Sequence, residues 1–512
     1  MIDFSKLSNI FPPLLLGYMF NFDGQQYAAF QKSHEVELNA HQEEAFACLE
    51  NFINKQRELR YNAGENVLID ADLLCYFLFK GKKSLAFQLR QHCGGTTYQH
   101  TCSGDLLIDY LAFLVNMSFP SLLVEGHMLS FDQQLIDGLI AVVANDSIAK
   151  LIKTTETQKI LSAPLFDADK NPIGYLHEDI CNFVYVLFRN CYLNCVYKLC
   201  VSEESILNEL SSAVVFLRRV ANGKSAAVQS YLGIFGVGFG GFDILELEDL
   251  TLRNIAGHDL SQKISSTTVG VWANHPDVHF YGLTAESSYV INASSKKGKP
   301  PCRNYSYIDD HKVLSDLEKK AENFYLALLF VKKKYSVFRT SFRSTGYYFR
   351  NSEYGAGSFD HSTKLIPLYL SECPEVKKWY SLIRNNTVHS INNALENIKN
   401  AIMRENSIAD SIMSGFYAWE SMFTSREDTT VSVVKAVSIY SDSDENRVAD
   451  LYDRFRCRKA HGDAFKIHSD EILDSIRSEV IEIAITCVKK LFEDDELKNL
   501  KASNRVKKLC GQ

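Results

Sequence analysis

The chain has 512 residues, too long for one compact core and suited to two to four domains. It is 46% hydrophobic and 23% charged, with ten prolines and a net charge of −7, which excludes collagen-like or disordered chains and any overall basic character. A nucleic-acid partner would therefore have to meet a local basic surface. Apolar runs such as "FYLALLFV" fall well short of the ~20 residues that a membrane span needs, so no membrane partner is expected.

The opening "IFPPLLLGYMF" follows Asp3 and carries Pro12 and Pro13 without a small-residue cleavage pattern, and reads as folded structure rather than a signal peptide. Thirteen cysteines without a secretory signal point to a reducing, cytoplasmic setting. Cys191, Cys195 and Cys200 lie in an apolar helical run and read as buried small hydrophobes. His92, Cys93, His100 and Cys102 match no common zinc spacing, so neither a metal nor a cofactor is assigned.

Residues 1–230 are expected to form a mainly helical region with interspersed strands, without repeats. A strand-bearing and basic-aromatic region is expected over 231–360, with alternating apolar and polar residues around 231–295. Gly236, Gly238 and Gly241 spell GxGxxG, but the residues after Gly241 read as strand rather than an opening helix, so the motif is taken as a turn or glycine-softened strand. In "VKKKYSVFRTSFRSTGYYFR", six basic residues (Lys332, Lys333, Lys334, Arg339, Arg343 and Arg350) alternate with six aromatics and no acid. Phosphate neutralisation with base stacking is one use for such a stretch. A helix end followed by a hairpin with inward aromatics is the other.

Residues 365–495 carry the clearest periodicity. Val388, Ile391, Leu395, Ile398 and Ile402 share one helical stripe; Ile412, Phe416, Trp419 and Phe423 share another. A shorter helix is expected at "TTVSVVKAVSIYS". Val448, Leu451 or Tyr452, and Phe455 should face inward on the next, which Gly462 stops. Ser469 is placed to cap a last helix whose stripe runs Leu473, Ile476, Val480, Ala484, Val488. Short connections predict an up-and-down bundle. Residues 496–512 read as a basic tail. The fold class is thus multidomain and mainly α, with a C-terminal helical bundle and an α+β N-terminal region.

Within the bundle, "LYDRFRCRKAHGDAF" gathers Arg454, Arg456, Arg458, Lys459 and His461. "RFRCRKAHG" resembles the R-x4-6-H signature of HEPN domains. "FYAWESMF", with Glu420 among apolar neighbours some thirty residues earlier, narrows the likeness to the ApeA-like HEPN branch, over about a quarter of the chain. That branch pairs an alanine-x-glutamate helix with a tyrosine, an arginine and a terminal His-Gly; here Cys457 stands where a polar residue often follows the arginine. The resemblance implies a metal-independent endoribonuclease that pairs through the motif helix. It also implies a toxin-like role in antiphage defence, with RNA (tRNA among the candidates) as substrate and a phage-derived trigger sensed by the first ~350 residues. A catalytically silent HEPN module for RNA binding or oligomerisation is the alternative.

The residue chemistry fits cleavage. Attack of a ribose 2′-OH on its phosphate needs proton transfer, for which His461 is suited, and a fixed cation, for which Arg456 is suited. Glu420 is expected to hold Arg456 or another motif arginine, with Arg454, Arg458 and Lys459 auxiliary. On an ideal helix Arg456 and His461 stand about 140° apart, which favours two facing motifs in a homodimer. Arg384 and His389 also satisfy R-x4-H and are taken as bystanders opening the first bundle helix. Asp453 and Asp463 stand too far apart to form a magnesium site by themselves.

Overall fold

The computed structural model describes residues 1–62, 85–96, 104–123, 164–166, 172–175, 180–221, 225–255, 282–291, 310–332, 339–345, 353–355, 366–403, 407–424, 429–457 and 470–511. The described chain is mainly helical with antiparallel sheet. None of its described helices is long and apolar enough to cross a membrane.

In chain order the helices are α1 (Ser5–Ser8), α2 (Pro13–Met19), α3 (Gly24–Ser33), α4 (Ala40–Asn62), α5 (Leu85–His92), α6 (Leu106–Leu122), α7 (Ile180–Tyr197), α8 (Glu203–Ala221) and α9 (Asp310–Lys332). They continue as α10 (Cys373–Arg384), α11 (His389–Met403), α12 (Ile408–Met422), α13 (Thr429–Ser441), α14 (Glu445–Leu451), α15 (Asp470–Glu493), α16 (Asp495–Lys498) and α17 (Ala502–Cys510). The strands are β1 (Ile2–Asp3), β2 (Glu35–Val36), β3 (Pro164–Phe166), β4 (Pro172–Tyr175), β5 (Ala226–Phe235) and β6 (Val237–Gly240). The rest are β7 (Ile244–Glu246), β8 (Thr251–Asn254), β9 (Gly282–Ile291), β10 (Arg339–Thr345), β11 (Glu353–Gly355) and β12 (Ile366–Tyr369).

The N-terminal helices share a core built around Phe4, Phe20 and Phe30, with Phe4 meeting Phe20 edge to face at 5.0 Å. Asp23 caps α3 by accepting from the amides of Gln25 and Gln26, and the Gln26 side chain returns to the Asp23 amide. In α7, Cys191 and Cys195 are buried; burial pushes the Cys195 thiol up to about 12, so both pack as inert apolar groups. Cys200 lies beyond the end of that helix and is exposed, which corrects the expectation that all three are buried.

Asp105 precedes α6, accepts from the amides of Leu107 and Ile108, and pairs with Arg218 of α8 at 2.5 Å. The Arg218 guanidinium holds the Asp105 carboxyl below its ordinary range; burial opposes this and the two amides reinforce it. The folded value is the lower one. Its contribution to stability is therefore complete above the unfolded carboxyl value of about 4 and disappears as pH falls through the folded value. Arg218→Ala should lower Tm at neutral pH, and the gap from wild type should narrow steadily below about pH 4. A gap independent of pH would contradict this pairing.

The main sheet has the order β11-β10-β5-β9-β8-β7 and is antiparallel throughout. β6 pairs in parallel with β12. The strand-bearing patch begins at Ala226, a few residues earlier than expected, and recruits β10 and β11 from the basic-aromatic stretch. Gly236 and Gly241 adopt φ +77° and +85°, turning the chain before and after β6. No helix opens there, in keeping with the turn-and-strand reading. β5 serves two cores: Val228 and Tyr231 join the N-terminal one, while Leu232 and Ile234 join the C-terminal one.

The C-terminal core is larger than the expected bundle. It takes in α9, whose Phe324 to Phe330 are all buried, and within the expected span α10 also joins it, with Trp379 and Tyr380 buried. The expected stripes of α11, α12 and α15 face this core, with Val388 and Leu473 half-buried at its edge. Residues 496–511 are not a loose tail. α17 packs against α13 and buries Arg505 and Val506. The Arg505 guanidinium donates to the carbonyls of Leu497 at 2.8 Å, Lys498 at 2.7 Å and Met422 at 3.2 Å. It has no carboxylate partner among the described residues. The carbonyl-rich ends of α12 and α16 take that place. Burial pulls its pKa below the ordinary arginine value.

Candidate active site

Ser407 caps α12, its hydroxyl accepting from the Asp410 amide. It lies close against α15 because Gly415 has no side chain: a Cβ there would stand 2.6 Å from Val480 Cγ1. The Trp419 indole donates to the Val480 carbonyl at 3.1 Å and fixes the rotation of α12. With Phe416 and Trp419 turned inward, Tyr417 and Glu420, three positions apart, lie at the core's margin.

The partner element comes after α14. At Tyr452 the helix widens into a π-helical turn, Tyr452–Cys457, a rare geometry that often marks functional positions. Val448, Leu451, Tyr452 and Phe455 are all buried, so the choice left open between Leu451 and Tyr452 is resolved as both. The Tyr452 ring meets Phe416 edge to face at 5.6 Å and its hydroxyl donates to Glu420 Oε1 at 2.7 Å. Arg456 Nε donates to the same oxygen at 2.7 Å. The Arg456 guanidinium also lies over the Tyr417 ring, 5.2 Å from its centre.

Both charged side chains are about one-fifth exposed, at 21% for Arg456 and 22% for Glu420. Burial would lower the Arg456 pKa, but the Glu420 carboxylate more than offsets it and the net shift is upward. The guanidinium therefore stays charged, with Nε occupied. Its two terminal nitrogens make no hydrogen bond to another described residue and can donate to a phosphate.

The expected partner of Glu420 is thus Arg456. Arg454 is exposed and bonded to Asp450 at 2.5 Å, away from Glu420. Arg458, Lys459, His461 and Gly462 lie outside the described residues. Two further contributors went unrecognised: the Tyr417 ring and the Tyr452 hydroxyl. The three-residue spacing of Tyr417 and Glu420 was the available signal for the first. The π turn also removes the 140° argument, which assumed an ideal helix through Arg456.

Of the proposed RNA-contacting residues, Lys332 and Arg343 are each engaged by a carboxylate. Lys332 pairs with Glu372 at 2.5 Å and lies over the Tyr369 ring at 4.9 Å. Arg343 in β10 pairs with Glu318 at 2.6 Å. Arg339 lies in β10, and Lys333, Lys334 and Arg350 fall outside the described residues.

Arg384 and His389 do not open one helix together. Arg384 ends α10, while His389 begins α11. Arg384 donates to Asp249 at 2.9 Å and to Glu248, and Tyr380 donates to Asp249 at 2.6 Å, tying α10 to the β7–β8 turn. His389 is exposed, with Nε2 3.3 Å from Asn393. His389→Ala is expected to retain most activity and stability. Arg384→Ala should cost about 1–2 kcal/mol of stability with RNA cleavage per folded molecule unchanged. Loss of cleavage by folded His389→Ala would make this the working R-x4-H.

Comparison with known protein families, with curated proteins and with solved structures gives no match.

Proposed function

We propose that this chain is an endoribonuclease of the HEPN type, with Arg456 and His461 as catalytic residues and Glu420 and Tyr452 as positioning residues. The observation that carries the reading is the single Glu420 oxygen shared by Tyr452 and Arg456, which holds a permanent cation whose terminal nitrogens bond no other described residue. In the reaction, His461 takes the proton of a ribose 2′-OH as its oxygen bonds to the adjacent phosphorus. The P–O5′ bond breaks, the 5′ oxygen receives a proton returned from the imidazolium directly or through water, and a 2′,3′-cyclic phosphate remains. Arg456 stabilises the charge on the phosphorane, a role that needs no metal ion.

The resemblance further implies a homodimer with adjacent motif helices and a toxin-like part in antiphage defence triggered by a phage component. Residues 1–350 would supply the sensing part. A silent HEPN module for RNA binding or oligomerisation is the second reading. What favours it is that Glu420, Tyr417 and Tyr452 already account for the placement of Arg456 as a structural ion pair.

The experiment is incubation of the purified chain with total RNA in excess EDTA. Cleavage leaving 2′,3′-cyclic phosphate ends is expected. RNA binding without cleavage in EDTA and in added magnesium would support the silent module, and cleavage only with magnesium would overturn the metal-independent mechanism.

A further inference from the structure

The N-terminal unit brings three metal-ligating side chains together at its surface. His41 and Glu44 stand three positions apart near the start of α4 and share one face of it, while His92 is the last residue of α5. His92 Nε2 lies 3.1 Å from Glu44 Oε2. The His41 and His92 rings are 5.4 Å apart at 85°. One donor atom from each of the three residues lies within 4.8 Å of the other two.

The backbones beneath them are fixed by buried neighbours. Gln42, beside His41, is buried and donates to the Phe20 carbonyl at 2.8 Å. Cys93, beside His92, sits in the core, and Arg90 donates to the Tyr18 carbonyl at 3.0 Å. The cluster is therefore exposed side chains on a fixed frame. Cys93 faces the core while His92 is exposed, so these neighbours do not converge on one ion.

A tetrahedral ion with nitrogen and oxygen donors at about 2.0–2.2 Å holds those donors roughly 3.3–3.6 Å apart. The His92–Glu44 pair needs to open by only a few tenths of an ångström, and His41 can close in by rotating its side chain. An exposed histidine–carboxylate contact alone is an ordinary surface pair worth little. The third donor changes its chemistry. Two imidazoles and one carboxylate suit zinc, nickel or copper and are a poor set for calcium or magnesium, which prefer oxygen.

We propose that His41, Glu44 and His92 form a binding site for a divalent transition ion of the zinc and nickel class, with water completing its coordination. The ion staples α4 to α5. The amino-acid sequence alone points to no metal here because the third ligand is distant in the chain and only folding brings it to the other two.

Nickel is the probe of choice, since thirteen cysteines offer softer sites for zinc. The full chain, free of affinity tags, is titrated by calorimetry as wild type, His41→Ala, Glu44→Gln and His92→Ala, with folding checked by circular dichroism. Wild type should take up one equivalent, and its unfolding midpoint should rise by roughly 1 °C for each tenfold increase in free nickel above the dissociation constant. Each variant is exposed at its changed residue and should fold, yet lose at least about tenfold in affinity. Equal uptake by wild type and all three variants would overturn the site, as would no uptake by wild type up to about 1 mM.

Discussion

Arg456→Ala and His461→Ala should each lower RNA cleavage by about 10²–10³-fold while leaving the chain folded. Losing the Arg456 guanidinium removes the cation from the phosphorane, and the Glu420–Tyr452 hydrogen bond remains to hold α12 against the π turn. Because that ion pair is partly exposed, its loss should cost only about 1 kcal/mol of stability. Arg454→Ala should stay active, since Arg454 is already engaged by Asp450. Inactivity of Arg454→Ala alone would move the motif to the wider spacing. Glu420→Gln separates positioning from contact: it should lower kcat more than it raises KM, because the arginine survives but is less well aimed. Mixed His461→Ala and Arg456→Ala protomers should regain part of the activity if two motifs share a site. The nuclease reading fails if both folded variants cleave RNA like wild type.

The second large effect concerns stability. Arg505→Leu should cost about 3–5 kcal/mol, because it strands the carbonyls of Leu497, Lys498 and Met422 at the ends of two helices. Arg505→Lys keeps the charge, but one ammonium cannot span three carbonyls, so most of the loss should remain. Chemical denaturation read by tryptophan fluorescence measures both, since Trp419 lies in the helix whose end Arg505 caps. A cost under about 1 kcal/mol for Arg505→Leu would show that water satisfies those carbonyls instead.

Much of the C-terminal half was legible because period and burial agree there. Ile391, Leu395 and Ile398, then Ile412, Phe416 and Trp419, are buried as their spacing requires. Glu420 stood out as a carboxylate among aromatics, and its partner had to be a nearby base. What escaped reading depends on distant partners. Arg384 reads as a bystander to the motif, but nothing near it in the chain announces its ties to Asp249 and Glu248. Arg505 sits among lysines and leaves no local sign that helix ends will enclose it. The π turn is equally silent: a residue inserted into a helical period changes which faces turn inward without changing composition. His41, Glu44 and His92 likewise become neighbours only through the packing of α4 and α5.

The double duty of β5 bears on how the chain folds. Its partners come from far downstream, with Ala226 opposite Ile291 and Ser230 opposite Thr345. Helical pairs such as α7 with α8, or α11 with α12, can close early over short loops, whereas this strand must wait for long ones. Until β10 arrives, one edge of β5 offers unpaired amides and carbonyls to any other chain. A nascent or truncated chain that stops before Arg339 should therefore aggregate through that edge rather than present an isolated N-terminal unit.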